Sequence, residues 1–255
     1  MVISFSLRNA IASQALTVLP QVDDFINTFM GTVKTNRLRK ERDTVLSERL
    51  PFLNKIYNTC VETYATNSIY PCVSDVFLDP IVQDLMMGPP LAATFTDENL
   101  TTVGALFPDI VLRWRKKTEE NLLNMITQNA SASALQLATT IFSCRLCPEE
   151  PMTYPRVLVH RCATKHFYHG DVIDGDLLVL RRSLDCSYWN SGDFIFFEAP
   201  KIVPLANALK LCGFDPKSAT GEDMDKRNPI FECLACNDAR KGRCTLSWLG
   251  IVCFL

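Results

Sequence analysis

The residues best suited to chemistry lie between Phe142 and His166, in the run FSCRLCPEEPMTYPRVLVHRCATKH. Cys144 and Cys147 are separated by two residues; twelve residues then lead to His160 and five more to His166. That is the ligand spacing of a two-cysteine, two-histidine zinc site. The short Cys-x2-Cys turn lets two thiolates converge on one ion at about 2.3 Å each. Cys162, between the two histidines, competes with His166 for the fourth position. A second pair, Cys233 and Cys236, repeats the pattern, again with a phenylalanine two positions before the first cysteine. No histidine follows His169, so its remaining ligands would have to be Cys244 or Cys253, which are not spaced as a pair. The expectation is one structural Zn2+ at the first cluster and a second, less complete site at Cys233, Cys236 and Cys253. The plainer alternative is that these thiols are inert core residues, since free cysteine is commonly buried.

Positioning the first cluster requires particular elements. A short strand is expected to begin at Phe142. Thr153-Tyr154-Pro155 reads as a helix start, with Thr153 as N-cap and Pro155 in the first turn. Val157 would pack beneath that helix and His160 would point inward at the thiolates. On an ideal helix Cys162 lies about 200° round from His160. It reaches the ion only if the helix ends at once, whereas His166 needs the last turn loosened.

Composition bounds the rest. Of 255 residues 47% are hydrophobic and 21% charged, enough to build a core and unlike a disordered tail. The net charge of -2 gives no wholesale attraction to nucleic acid. Nine of the eleven cysteines fall in the last 112 residues. An odd count with two Cys-x2-Cys pairs suits metal-bound thiolates in a reducing, intracellular setting, nucleus or cytoplasm, better than a secreted disulfide scaffold. No run of 18 uncharged apolar residues predicts a membrane span.

Residues 1–128 read as a helical domain. Val22, Phe25, Ile26, Phe29 and Met30 recur at three- and four-residue spacing. Five basic residues in the nine from Lys34 to Arg42 read as a solvated helix face with Glu41, Asp43 and Glu48 as partners. Pro51 is expected to open a further helix, Ser74 to cap a short one, and Pro80 to Met87 to form another. Thr96-Asp97-Glu98 starts a helix with acidic residues in its first turn, and Pro108 opens the next. Residues 129–140 are expected to be a linker. Residues 141–255 then form a small mixed domain, with strands at Leu177–Leu180 and Phe194–Phe197 and an aromatic loop at Tyr188–Asn190. A helix from Ala199 to Leu211 closes at Gly213, and Thr220-Gly221-Glu222-Asp223 carries a capping pair. The expected fold class is α+β, a mainly helical first part followed by zinc-finger-like elements.

The run Leu211-Cys212-Gly213-Phe214-Asp215-Pro216, then Ala219-Thr220, Asp223-Met224-Asp225, Phe231-Glu232-Cys233, Cys236 and Trp248, resembles the C-terminal region of an uncharacterised zinc-finger-like family from mushroom-forming (basidiomycete) fungi. The first cluster, with its Cys-x2-Cys and YPRVLVHRC, resembles the same family, and the likeness spans roughly residues 40–255. The resemblance implies zinc-finger-like elements and favours Cys162 over His166. Similar proteins carry a histidine after the tryptophan. This chain departs there with Ile251-Val252-Cys253-Phe254-Leu255, which implies a truncated or altered second site.

Nucleophile-elbow, HExxH, P-loop and dinucleotide fingerprints are lacking in the sequence. The leading expectation is therefore a non-enzymatic, structural-zinc interaction protein with a protein partner and no membrane association. The alternatives are a nucleic-acid-binding regulator using finger-like elements and a ubiquitin-system adaptor.

Overall fold

The computed structural model of the chain describes residues 3–90, 93–127, 130–165, 175–237 and 242–254. Its fold class is α+β, with a long helical N-terminal region followed by a smaller region containing antiparallel strands. Two compact units emerge, Met1–Glu48 and Arg49–Leu255.

The first unit consists of most of helix α1, Ile3–Glu62. Its apolar side chains from Val22 to Val33 do recur on a helix, but they face solvent, and Phe25 is 71% exposed. In the basic stretch Arg37 pairs with Glu41 at 2.8 Å, one turn away. Pro51 does not open a new helix as expected: α1 runs through it. A proline inside a helix forfeits one hydrogen bond and crowds the preceding turn. Buried Leu50 and Leu53 flank it, and that burial holds the helix on course.

The second unit continues through α2, Val73–Phe77, and α3, Pro80–Met87. The N-cap of α2 is Cys72 rather than Ser74, whose hydroxyl is engaged elsewhere. Asp79 caps α3 by accepting from the Ile81 amide, and Pro80 occupies the first turn where its missing N–H costs nothing. At the other end of α3 lies Arg49, only 2% exposed. It donates to the carbonyls of Met86, Pro89 and Pro90 at 2.6–2.9 Å and stacks over Phe95 at 4.8 Å. A helix C-terminus leaves orphan carbonyls and a negative dipole end, and a buried guanidinium answers both.

A capping box between Thr96 and Asn99 opens a 3-10 turn, Asp97–Leu100, which leads directly into α4, Thr101–Ile126. Pro108 lies inside α4 and does not start it. The buried face of α4, including Phe107, Ile110, Trp114 and Leu122, explains why the helix tolerates it. Residues 132–136, within the stretch expected to be a linker, form a 3-10 turn that buries Leu135.

Strands β1, Phe142–Cys144, β2, Cys147–Met152, and β3, Ile195–Phe197, form an antiparallel sheet in the order β2-β1-β3. Its core joins Trp114 and Leu122 of α4 to Phe142, Cys144, Val157, Cys162 and Trp189. The segment Leu177–Leu180 belongs to helix α5, Gly175–Leu184, and is not the expected strand. Four apolar residues in a row do not distinguish a strand from a buried helical segment.

A 3-10 turn, Ala199–Lys201, precedes α6, Ile202–Leu211. Gly213 follows with φ of +81°, the left-handed conformation anticipated after that helix. Helix α7, Gly221–Arg227, opens with the expected capping box, Thr220 with Asp223. Strands β4, Ile230–Glu232, and β5, Thr245–Ser247, form a hairpin, and α8, Trp248–Phe254, follows. Several residues of the run from Leu211 to Trp248 meet here. Met224 and Trp248 are buried in one core with Leu205 and Leu209, and the Trp248 indole donates to Asp225 at 2.9 Å.

Replacing Arg49 by Met is expected to destabilise the protein by about 2–4 kcal/mol in urea unfolding, because it strands the carbonyls it caps. Arg37→Ala, at an exposed pair, is expected to cost under about 1 kcal/mol. Equal effects of the two would show that Arg49 does not act as a buried cap.

Candidate metal centre

The first two cysteines are placed by a hairpin. Cys144 ends β1, Cys147 begins β2, and the two face each other across the ladder. Arg145 and Leu146 make the turn between them. The Arg145 amide donates to the Phe194 carbonyl at 2.9 Å, tying the turn to the start of β3. The Leu146 amide donates to Cys144 Sγ at 3.4 Å, holding that sulfur over the turn.

The other two donors come from the return of the chain. In place of the helix expected to be capped by Thr153, the chain makes a single 3-10 turn, Arg156–Val159, whose N-cap is Pro155, and the Val157 amide donates to the Thr153 carbonyl at 3.0 Å. Val157 is buried beneath it, as its spacing demanded. The helix stops at once: His160 is already extended, with φ of -64° and ψ of 124°. A further turn, closed by the Ala163 amide on the His160 carbonyl at 2.9 Å, brings Cys162 back to the side that His160 faces. The condition under which Cys162 could join the cluster is therefore met.

Cys144, Cys147, His160 and Cys162 present four donor atoms that all lie within 4.8 Å of one another. Cys147 Sγ lies 3.7 Å from Cys162 Sγ and 3.1 Å from His160 Nε2. With zinc–sulfur bonds of about 2.3 Å, tetrahedral geometry places two sulfurs about 3.8 Å apart and a sulfur and nitrogen about 3.5 Å apart. The donor types, their number and their spacing fit a closed Cys3His centre. Cys144 and Cys162 are buried in the apolar core, while Cys147 is half-buried at its edge. Desolvation, followed by the neighbouring Cys144 and Cys162 thiols, pushes Cys147 up to about 12. Three sulfurs this close cannot share a dry site as thiolates unless a cation offsets their charge. His166, the competing ligand, lies outside the described residues.

The second pair is arranged differently. Cys233 follows β4, and its amide donates to the Cys244 carbonyl at 2.9 Å, placing Cys244 opposite it on the hairpin. The Cys236 amide closes the Cys-x2-Cys turn on the Cys233 carbonyl at 3.1 Å. Hydrogen bonding with Cys236 lowers Cys233, while Cys233 and desolvation, with Cys244 adding to them, raise Cys236 to about 11. These three thiols are neighbours, but among the described residues only the first cluster brings its donors within 4.8 Å of one another. Cys236 is exposed, and the side chain of Cys253 lies outside the described residues.

Differential alkylation of the purified protein near neutral pH is expected to modify Cys233 well before Cys144, Cys147 and Cys162. The lowered thiol at an open turn supplies more thiolate than the desolvated cluster. Equal rates at both clusters would contradict this contrast.

No protein-family model, no curated protein and no solved structure matches the chain, so its donor geometry is the firmest guide to function.

Proposed function

We propose that this chain is a non-enzymatic interaction protein stabilised by one structural Zn2+ held by Cys144, Cys147, His160 and Cys162. The observation that carries the reading is the convergence of four soft and borderline donors, from two chain segments, at zinc-compatible spacing. Four protein ligands close a tetrahedral ion and leave no position for water or substrate, which separates a structural centre from a catalytic one. The zinc would cross-link the β1–β2 hairpin to the 160–162 turn and contribute folding energy directly. The solvent-facing apolar stripe of α1, from Val22 to Val33, supports an interaction role, because contiguous exposed apolar surface marks protein contacts. No helix among the described residues is long and apolar enough to cross a membrane. The likeness to the fungal zinc-finger-like family supports the same reading and a place in a reducing compartment.

Cobalt titration of metal-free protein tests the ligand set. A tetrahedral, thiolate-rich visible spectrum saturating at one equivalent is expected. Cys162→Ser should weaken binding by roughly tenfold or more, and His166→Ala should leave the spectrum intact. The reverse pattern would make His166 the fourth ligand and remove Cys162 from the site.

Proton release provides a second check. Desolvation and then its sulfur neighbours raise Cys147, so that thiol keeps its proton at neutral pH, and zinc ligation requires the cysteine sulfurs to give up their protons. Zinc must displace those protons, so calorimetry in buffers of different ionisation heat should give roughly three protons released per ion. Affinity should fall as pH falls, since protons compete for the same sulfurs. Release of one proton or fewer would exclude a three-thiolate centre.

A further inference from the structure

Away from the metal centre, two segments far apart in sequence are laced together by thiols, hydroxyls and one carboxylate. Cys72 Sγ donates to the Ser187 carbonyl at 3.3 Å. Ser74 Oγ donates to the Cys186 carbonyl at 3.0 Å and lies 3.1 Å from Cys186 Sγ. Asp75 Oδ1 accepts from the Trp189 amide at 3.0 Å, and its Oδ2 lies 3.1 Å from Cys72 Sγ. Each sulfur thus lies against the opposite segment, Cys72 Sγ on Ser187 and Cys186 Sγ on Ser74. Neither cysteine is fully buried, and Cys72 and Asp75 line a cleft of about 870 Å³ with Tyr57 and Trp189.

This arrangement divides the labour between the two sulfurs. Hydrogen bonds from Cys72 and then, against the cost of burial, from Ser74 hold Cys186 down at about 7, so it supplies thiolate at neutral pH. Cys72 is held well above the usual thiol range, first by its bond to Cys186 and then by burial and Asp75. A thiolate with a pKa near ambient pH is the best attacking group, and a neighbouring thiol can resolve the product.

We propose that Cys186 and Cys72 form a peroxide-reactive thiol–disulfide pair, with Cys186 the attacking sulfur, Cys72 the resolving one, and Asp75 placed to take the Cys72 proton.

In the first step Cys186 thiolate attacks one oxygen of hydrogen peroxide. The O–O bond breaks, a sulfenic acid forms on Cys186, and hydroxide leaves and is protonated to water. In the second step Cys72 passes its proton to Asp75 and attacks the Cys186 sulfur. The S–O bond breaks, the S–S bond forms, and the departing hydroxide takes up a proton. Two thiols and one peroxide thus become one disulfide and two waters; each sulfur loses one electron and the peroxide gains two.

The bond would fix the 72–75 segment to the 186–189 segment. The latter is in turn bonded to the residues following Cys162, through the Ser187 amide on the Thr164 carbonyl at 2.9 Å and the Asn190 amide on the Ala163 carbonyl at 2.7 Å. The pair contains none of the four metal-centre residues, so it stands whether or not that centre binds zinc.

The test is to expose the full chain to one equivalent of hydrogen peroxide at neutral pH, alkylate the remaining thiols, digest without reductant and map the products by mass spectrometry. The expected product joins the Cys72 and Cys186 peptides with the loss of two hydrogens. In Cys72→Ser, dimedone should trap a sulfenic acid on Cys186; in Cys186→Ser, it should leave Cys72 unlabelled. A wild-type map without the Cys72–Cys186 link overturns the proposal, whatever happens at other cysteines. Dimedone on Cys72 in Cys186→Ser, with none on Cys186 in Cys72→Ser, overturns the assignment of roles.

Discussion

The structure of the second unit turns on the meeting of three sulfurs and one imidazole at the edge of an apolar core. Cys144 and Cys162 are buried among Phe142, Val157 and Trp189, and Cys147 and His160 close the cluster from its more open side. Such a group is electrostatically incomplete by itself: burial raises thiol pKa values, and sulfur neighbours raise them further. A divalent cation removes the conflict, because it replaces protons and repulsion with four bonds. Structural zinc contributes about 10–16 kcal/mol in isolated finger peptides, comparable to the total stability of an ordinary domain at about 5–15 kcal/mol. Here the ion would act together with a substantial hydrophobic core, so its largest effect would be on the geometry of the hairpin and the return turn.

Everything around that cluster serves to hold two chain segments in register. The sheet fixes the hairpin from one side through β3, and α4 backs the same core with Trp114 and Leu122. The 160–164 turn is held by the amides of Ser187 and Asn190. Asn190 also accepts from the Ile195 amide at 2.8 Å and donates to its carbonyl, which fixes the loop between α5 and β3. The aromatic loop at Tyr188–Asn190 is thus a structural brace, with Trp189 buried. At the other core Thr220, Asp223, Asp225 and Trp248 play a similar part, engaged in caps and hydrogen bonds.

Much of this was legible in the residues because local rules decide it. The capping pair at Thr220, the glycine after α6, the boundaries of α3 and the spacing of Cys144, Cys147 and His160 each reflect a short-range constraint. The misreadings arose where tertiary packing overrides local signals. Pro51 and Pro108 look like helix starts, yet buried faces on both helices outweigh the lost hydrogen bonds. Leu177–Leu180 lacks any periodicity that would separate a strand from a helix, and Leu135 gives no sign in sequence that its polar surroundings fold into a core. The contest between Cys162 and His166 depended on whether the helix after Thr153 runs on for one turn or several, which no single residue type declares. The facing of the Cys72 and Cys186 segments was invisible for a different reason: it brings together positions far apart in sequence, as in the contact between Ser74 and Cys186, 112 residues apart.

The central claim concerns metal, and elemental mass spectrometry on protein purified without added zinc addresses it most directly. Wild type, a Cys144→Ser, Cys147→Ser variant and a Cys233→Ser, Cys236→Ser variant would be measured together. One zinc per chain in the wild type, none in the first variant and one in the second is the required result. A wild type without zinc, or zinc retained when Cys144 and Cys147 are removed, would contradict it, and the buried sulfurs would then have to be treated as ordinary core residues.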